Sequence, residues 1–238
     1  MTFYQSIAPY YDLIFPLDTT QIDFVKRSID VQSPKVLDVG CGTGGLSLAL
    51  AGLGMDVIGI DYDSEMIEIA RHKADPAHPI KFERMDMREI SGNFLPHAFD
   101  RVICFGNTLV HLDNSEEIGH FFRQVRSVLK SGGKFLLQIL NYDYILRAKI
   151  KELPSIENRR IRFERFYEIQ NDRILFRTVL TVKSTNRVIA NEVVLYPLRK
   201  TKLDVLLRNA DFKEIQYYGD FIGSPFMDKS LPLVVRAS

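Results

Sequence analysis

A glycine-rich segment flanked by two acidic residues is the part of the chain best suited to chemistry. Residues 35–45 read KVLDVGCGTGG and run from an apolar strand pattern through a turn into a helical pattern. Asp38 precedes the first glycine by two residues, and Asp61 ends the next apolar run, IGID. Glycine lets a backbone approach a ligand closely, and a carboxylate at the end of the second strand can hold a ribose. These features predict a nucleoside-containing cofactor at the carboxyl ends of parallel strands.

The glycine spacing leaves two cofactor classes open. Gly40, Gly42 and Gly45 satisfy the dinucleotide fingerprint G-x-G-x-x-G, and Asp61 follows at the required distance. A dinucleotide would place its anionic pyrophosphate at the N-terminus of the next helix, where the carboxylate of Asp38 would repel it. S-adenosylmethionine has no phosphate, and its sulfonium and ammonium would be stabilised by a nearby carboxylate. We therefore predict S-adenosylmethionine, with an NAD(P)-dependent oxidoreductase as the weaker alternative.

Composition favours a small-molecule substrate over a polyanionic partner. The chain has 238 residues, of which 46% are hydrophobic, and a formal net charge of +1. This balance lacks the excess of Lys and Arg that binding to a nucleic-acid backbone requires. No apolar run approaches the ~20 residues that span a bilayer, and the N-terminus has no signal-peptide pattern. We expect a cytoplasmic protein without nucleic-acid or membrane partners, and the oligomeric state stays open.

Strand and helix patterns alternate through the first part of the chain and then change. Five short apolar runs between residues 35 and 140, separated by helical patterns, predict parallel strands with right-handed crossovers. Residues 131–133 predict a turn before the fifth run, and residues 142–151 predict a helix that stops before Pro154. Residues 160–198 instead contain three strand-like runs separated by turn residues, which predict an antiparallel sheet. The basic run that includes Arg162 and Arg165 is interleaved with glutamates, which is typical of a solvated sheet face.

Five blocks in this order resemble the class I S-adenosylmethionine-dependent methyltransferases: VLDVGCGTGG, GIDYDSEMI, FERMDM, FDRVICFGNTLVHL and VLKSGGKFLLQI. The resemblance implies an α/β fold with a Rossmann-like, doubly wound, mostly parallel seven-stranded sheet and a small inserted antiparallel β-sheet. The expected organisation is an N-terminal helical lid (1–33), a cofactor-binding core (34–141), an inserted substrate cap (142–199) and a C-terminal helix with strands that complete the core (200–238).

The resemblance also implies roles for individual cofactor residues. Asp38 would hold the turn and the methionine amino group, Asp61 the ribose, and Asp86 the adenine amino group. Tyr11, ahead of Tyr4, would cover the sulfonium as part of the lid, where an aromatic ring attracts a cation. The predicted cofactor-binding residues are Tyr11, Asp38, Gly40, Cys41, Gly42, Asp61, Tyr62, Met66, Asp86, Met87 and Phe105.

A narrower resemblance concerns the substrate side. CFGNTLVHL and LNYDYIL resemble glycine N-methyltransferases and related small-molecule N-methyltransferases, which implies a pocket over the fifth strand and transfer to an amine nitrogen. Leu140 stands where that group has a carboxylate-binding arginine, and an alkyl group cannot replace a guanidinium, so glycine is not the expected acceptor. We expect Asn107 and His111 to position the acceptor. The predicted substrate contacts are Asn141, Tyr142, Tyr144 and Arg199.

Two interpretations of the chemistry remain open at this point. No side chain is an unmistakable catalyst, so a non-enzymatic module that binds S-adenosylmethionine is an alternative to an enzyme. His111 is equally well explained as a half-buried structural histidine at the entrance of a helix. No His, Asp and Glu cluster has convincing metal-ligand spacing, so no metal is expected.

Overall fold

The computed structural model describes residues 3–238, and residues 1 and 2 of the predicted lid lie outside the described residues. Two sheets make up its β-structure. In chain order the strands are β1 (Lys35–Val39), β2 (Asp56–Asp61), β3 (Ile80–Arg84), β4 (Phe99–Cys104), β5 (Leu129–Leu140), β6 (Glu152–Glu157), β7 (Ile161–Gln170), β8 (Arg173–Val182), β9 (Arg187–Leu195), β10 (Ile215–Tyr218) and β11 (Pro232–Ala237).

The larger sheet has seven strands in the order β10-β11-β5-β4-β1-β2-β3. The strands β1 to β5 pair in parallel, whereas β11 is antiparallel to both β5 and β10. The smaller sheet is antiparallel, in the order β6-β7-β8-β9. This architecture confirms the predicted α/β fold with a mostly parallel seven-stranded sheet and an inserted antiparallel sheet.

Helices cover both faces of the larger sheet. Neighbouring residues of β1 show this directly, because Leu37 packs in one hydrophobic cluster and Val36 in another. Successive strand residues point to opposite faces, so a strand that is buried on both sides reads as a continuous apolar run. No helix among residues 3–238 is long and apolar enough to cross a membrane. The helices are α1 (Tyr11–Ile14), α2 (Thr19–Ser28), α3 (Gly45–Gly52), α4 (Ser64–Lys73), α5 (Ile90–Asn93), α6 (Ser115–Val128), α7 (Tyr142–Arg147) and α8 (Lys200–Asn209).

The N-terminal segment joins the two sheets. It forms a short 3-10 turn (Ala8–Tyr10), α1 and α2, and the Asp18 side chain caps α2 by accepting a hydrogen bond from the Thr20 N–H. Ile7 and Ile14 are fully buried against residues of the smaller sheet, including Phe163. This packing holds the aromatic residues of the N-terminal segment over the carboxyl ends of β1 and β4.

Three local predictions were wrong. The turn predicted at residues 131–133 lies within β5, where the pairing with β4 shifts its register. The helix predicted over 142–151 ends at Arg147, shortly before Lys149, which has a φ of 51°. The inserted sheet has four strands rather than the three predicted. The additional strand, β6, was not predicted because it contains Pro154. Proline cannot donate to a central ladder, but β6 is an edge strand with a register irregularity, where proline is tolerated.

Candidate active site

The glycine turn after β1 depends on three left-handed residues. Gly40, Gly42 and Gly44 have φ values of 73°, 54° and 80°. A Cβ at Gly40 would overlap the Thr108 side chain, and the Gly40 and Cys41 N–H groups both donate to the Ile60 carbonyl of β2. Glycine is therefore required by backbone conformation and by close packing. Gly45, the third glycine of the dinucleotide fingerprint, has neither constraint.

Two buried carboxyl groups flank this turn. Asp38 on β1 accepts a hydrogen bond of 2.6 Å from the Ser47 hydroxyl, and burial raises the pKa of Asp38 to about 6. At the end of β2, Asp61 accepts hydrogen bonds of 2.9 Å from the N–H groups of Gly42 and Asp63. Burial also raises the pKa of Asp61. A cationic ligand at the turn would favour the charged forms of both groups.

Two adjoining cavities open at this edge of the larger sheet. The smaller cavity, of about 390 Å³, extends over the ends of β2 and β3. The larger cavity, of about 720 Å³, extends from the glycine turn to the inner face of the smaller sheet. The two cavities share one wall, so ligands in them would meet there. The shared wall is formed by Phe3, Tyr4, Tyr11, Gly40, Gly106 and His111.

Tyr11 covers the glycine turn. Its ring lies so close to Gly42 that a Cβ on this glycine would be 3.1 Å from the Tyr11 Cε1 atom. The neighbouring Asp12 holds the segment in place, because its carboxylate accepts hydrogen bonds from the Thr43 hydroxyl at 2.5 Å and from the Lys73 ammonium at 2.8 Å. The predicted lid residue Tyr11 therefore lies against the predicted cofactor turn.

Tyr4 and His111 form a hydrogen-bonded pair in the shared wall. The Tyr4 hydroxyl lies 2.8 Å from the His111 Nε2 atom, although the two residues are 107 positions apart. Burial lowers the pKa of His111 to about 4 and raises the pKa of Tyr4 well above its usual value. Both groups are therefore neutral at pH 7. A neutral pair allows two arrangements: the Tyr4 O–H donates to Nε2 when the imidazole proton is on Nδ1, and Nε2–H donates to the Tyr4 oxygen when the proton is on Nε2.

The predicted cofactor residues divide between the two cavities. Asp38, Cys41 and Phe105 line the larger one, and Gly40 and Tyr11 line both. The smaller cavity is lined by Gly42, Asp61, Tyr62, Met66, Asp86 and Met87.

Asp86 already has a partner within its own turn. Its carboxylate accepts hydrogen bonds from the Arg88 backbone N–H and from the Arg88 guanidinium, the shortest of which is 2.6 Å. These bonds hold the pKa of Asp86 below its usual range. The Arg88 side chain therefore competes with any adenine amino group for this carboxylate.

Asn107 lines the larger cavity at a strained backbone position, with a φ of 66°. Its side-chain oxygen accepts a hydrogen bond from the Leu140 N–H, and its side-chain nitrogen donates to the Tyr142 hydroxyl at 2.9 Å. Both polar atoms of the Asn107 side chain therefore have protein partners, and the residue serves as part of the cavity wall.

The four predicted substrate contacts lie outside the lining of both cavities. Asn141 is buried, caps α7 and donates to the Ser230 carbonyl at 2.9 Å. Tyr142 is fully buried, and its hydroxyl accepts the hydrogen bond from the Asn107 side chain. Tyr144 lies within α7, and Arg199 occupies the N-cap position of α8. The geometry gives Asn141 and Tyr142 structural roles and does not support substrate contact by any of the four.

Arg165 is the residue of this site that sequence reasoning missed. It lines the larger cavity on the inner face of β7 with Phe163 and Tyr167, so its assignment to a solvated face was wrong. Alternate strand residues share one face, and the side chains at positions 163, 165 and 167 follow that period. The sequence signal that could have revealed this orientation is the pair of aromatic residues, Phe163 and Tyr167, two positions before and after Arg165.

Comparison with known proteins shows where the chain belongs. A sequence model described as a methyltransferase domain matches residues 36–133. The glycine/sarcosine N-methyltransferase of Aphanothece halophytica is 30% identical over 201 residues, which cover 83% of this chain and 73% of that protein. The chain belongs to the S-adenosylmethionine-dependent methyltransferases. S-adenosylmethionine is the cofactor of this family, and the prediction made from the glycine turn is confirmed.

Two further relatives show the breadth of these methyltransferases. A ubiquinone biosynthesis O-methyltransferase of Xanthomonas euvesicatoria pv. vesicatoria is 32% identical over 126 residues, which cover 52% of this chain and 51% of that protein. The solved structure of an S-adenosylmethionine-dependent methyltransferase from Clostridium acetobutylicum has the same fold, with a TM-score of 0.82, 17% identity and coverage of 99% and 98% of the two chains. The chain spans between 51% and 73% of the length of the two curated relatives.

The residues of the turn fit this cofactor. Burial penalises the negative charge of Asp38, and a bound sulfonium and ammonium would offset that penalty. The absence of a side chain at Gly42 keeps the turn open on the side that faces the Tyr11 ring. When bound, S-adenosylmethionine supplies a methyl group on a positively charged sulfur that is a good leaving group.

Proposed function

We propose that this methyltransferase transfers a methyl group from S-adenosylmethionine to an amine nitrogen of a small molecule. The observation that carries the proposal is the wall between the two cavities. The residues Tyr4, Tyr11, Gly40 and His111 line both cavities, so a donor that extends from the smaller cavity to the glycine turn would meet an acceptor in the rest of the larger cavity at these side chains.

The smaller cavity is proposed to hold the nucleoside, and the glycine turn the methionine moiety. Each Asp61 oxygen accepts one backbone hydrogen bond, which leaves each oxygen a second lone pair for a ribose hydroxyl. Asp38 and the Tyr11 ring are the groups that would favour positive charge near the turn. The N-terminal segment up to residue 33 would then act as a lid, and residues 142–199 as the cap of the substrate cavity.

Tyr4 is proposed to position the acceptor. Whichever of the two groups donates, the Tyr4 oxygen keeps a lone pair that can accept a hydrogen bond from an amine N–H. Such a bond would aim the nitrogen lone pair away from Tyr4 and toward the donor side of the wall. Holding reactants close and aligned while excluding water supplies much of the acceleration that such a transfer needs.

The electrostatics of His111 support nitrogen over oxygen as the acceptor atom. A hydroxyl acceptor needs a base that takes its proton, and burial lowers the pKa of His111 to about 4, which makes the imidazole a weak base at pH 7. An amine needs only to arrive in its neutral form, because its lone pair is then already free. The curated relatives include both an N- and an O-methyltransferase, so similarity alone does not choose between the two atoms.

The test has two stages. Calorimetric titration with S-adenosylmethionine and with S-adenosylhomocysteine measures the donor site, and absence of heat at millimolar concentration would overturn the proposal. Incubation with methyl-labelled S-adenosylmethionine and a library of amines and matched alcohols then measures transfer. Mass spectrometry detects methylated products, and the methyl chemical shift distinguishes N-CH₃ from O-CH₃. Binding without transfer to any member would favour a non-enzymatic module, and transfer to the alcohols alone would refute the nitrogen assignment.

A further inference from the structure

A polar row crosses the otherwise apolar inner face of the smaller sheet. Arg165 of β7 pairs with Thr178 of β8, and Thr178 pairs with Asn191 of β9. The rows on either side are hydrophobic. They consist of Phe163, Leu180 and Ile189 on one side and of Tyr167, Phe176 and Val193 on the other.

Two atoms of this row lack protein partners. The Arg165 Nε and the Thr178 hydroxyl are buried, and neither has a hydrogen-bond partner among the described residues. The only hydrogen bond of the guanidinium within residues 3–238 runs from Nη2 to the Pro154 carbonyl, at 2.7 Å. An unpaired polar atom in a protein interior is costly, so such atoms call for a specific explanation.

The charge of Arg165 is not neutralised by the protein. Within the described part of the chain, no carboxylate oxygen lies within 4.0 Å of its guanidinium, so Arg165 forms no ion pair. The nearest acidic residues along β7 point to the opposite face of the sheet, where Glu164 pairs with Arg162 and Glu168 pairs with Arg177, each at 2.8 Å. Arg165 is therefore an unpaired cation that lines the larger cavity.

We infer that the methyl acceptor carries a carboxylate, which Arg165 binds inside the larger cavity. This inference rests on the proposed function, because it takes the larger cavity as the acceptor site. A guanidinium presents parallel N–H groups that match the two oxygens of a carboxylate. One guanidinium balances one negative charge, whereas a phosphate dianion would bring uncompensated charge against the rings of Phe163 and Tyr167.

The position of Arg165 also predicts the orientation of the acceptor. The cavity extends from the glycine turn, where the methionine moiety would lie, to the inner face of β7. The reacting nitrogen belongs at the Tyr4 end and the carboxylate at the Arg165 end. The acceptor is thus an amine that also carries a carboxylate, oriented with its nitrogen at the shared wall and its carboxylate at β7.

The experiment compares matched ligands and matched variants. Protein saturated with S-adenosylhomocysteine is titrated with phenylacetate, phenylacetamide and inorganic phosphate, and each dissociation constant is measured by ligand-observed NMR. The variants are Arg165→Met, Arg165→Lys and the control Arg162→Met, which removes an arginine from the outer face of the same strand. The S-adenosylhomocysteine affinity of each protein is measured first.

The wild type should bind phenylacetate at least about tenfold more tightly than phenylacetamide, as expected for a charge-assisted pair. Arg165→Met should abolish this preference, Arg165→Lys should retain part of it, and Arg162→Met should retain all of it. No preference in the wild type, or a preference that survives in Arg165→Met, would overturn the inference. Phosphate binding as tight as that of phenylacetate would refute the choice of a carboxylate.

The two proposals fail in different ways. If S-adenosylhomocysteine binds but the carboxylate preference is missing, only the role of Arg165 is wrong. If S-adenosylhomocysteine does not bind, the proposed function itself is wrong. Should Arg165→Met fail to fold, Arg165→Lys decides the question, because an unchanged preference for phenylacetate in that variant would overturn the inference.

Discussion

Replacing Asp38 with asparagine should stabilise the cofactor-free protein at neutral pH and weaken its affinity for S-adenosylmethionine. Burial raises the pKa of Asp38 from the ordinary value of 3.8 to about 6, so the folded protein binds this proton more tightly than the unfolded chain. The resulting stability is present below about pH 4 and is lost as the pH rises through 6. The difference between the two pKa values corresponds to about 3 kcal/mol.

Urea unfolding between pH 5 and pH 8 measures this effect. Asparagine has no charge to bury and can still accept the hydrogen bond from Ser47, so Asp38→Asn should exceed the wild type by up to about 3 kcal/mol at pH 7.5. The advantage should shrink toward pH 5. Burial also raises the pKa of Asp61, so the loss of the Asp61 proton at higher pH lowers the free energy of unfolding of the wild type as well. Because the charge of Asp61 also raises the pKa of Asp38, the difference between variant and wild type reports Asp38 together with this interaction.

Calorimetry supplies the functional half of this prediction. A bound cation favours the charged carboxylate, so the wild-type affinity for S-adenosylmethionine should rise about tenfold between pH 5 and pH 7, and Asp38→Asn should lose most of this rise. Asp56→Asn, at the exposed start of β2, is the control and should match the wild type. A variant no more stable than the wild type at pH 7.5, or a flat affinity profile in the wild type, would refute the reasoning.

Three further predictions concern the same site. Asp61→Ala should weaken S-adenosylmethionine binding by about 1–3 kcal/mol in calorimetry, and an unchanged affinity would contradict the ribose assignment. Tyr4→Phe should lower kcat at least about tenfold for the amine that the library identifies, while the donor affinity stays constant; an equal loss of donor affinity would place Tyr4 in the cofactor site instead. Gly44→Ala should lower the free energy of unfolding by about 2–4 kcal/mol, because φ is 80° and the new Cβ would be 2.6 Å from the Phe82 ring. Gly45→Ala meets no atom within 4 Å and should change stability by less than about 1 kcal/mol, so equal effects of the two substitutions in urea unfolding would contradict this account.

Much of the fold could be predicted because its signals are local. Each buried parallel strand is a short apolar run, and each crossover helix has its own period and its own cap, such as Asp18 and Asp63. The prediction of secondary structure failed for β6, which forms only by pairing with a neighbouring strand. Pro154 indicated an interruption, yet the edge of a sheet accepts it, and that edge exists only once β7 is in place.

The cofactor turn was predictable for the same reason, although its third glycine was not. The pattern G-x-G-x-x-G points to Gly45, whereas Gly44 is the residue with a left-handed backbone and with Phe82 against it. Phe82 belongs to β3, so the constraint arises only when β3 joins the sheet. A spacing rule cannot carry that information.

The sequence by itself determined the succession of elements, the glycine turn and the two carboxyl groups beside it, because all of these depend on residues close together in the chain. Only the tertiary structure decided which side chains line the two cavities. The contact between Tyr4 and His111 joins residues 107 positions apart, and Arg165 reaches the cavity because β7 turns that face inward. Cavity linings depend on such long-range packing, and for this reason the structure places Asn141, Tyr142, Tyr144 and Arg199 outside both linings and Arg165 inside one.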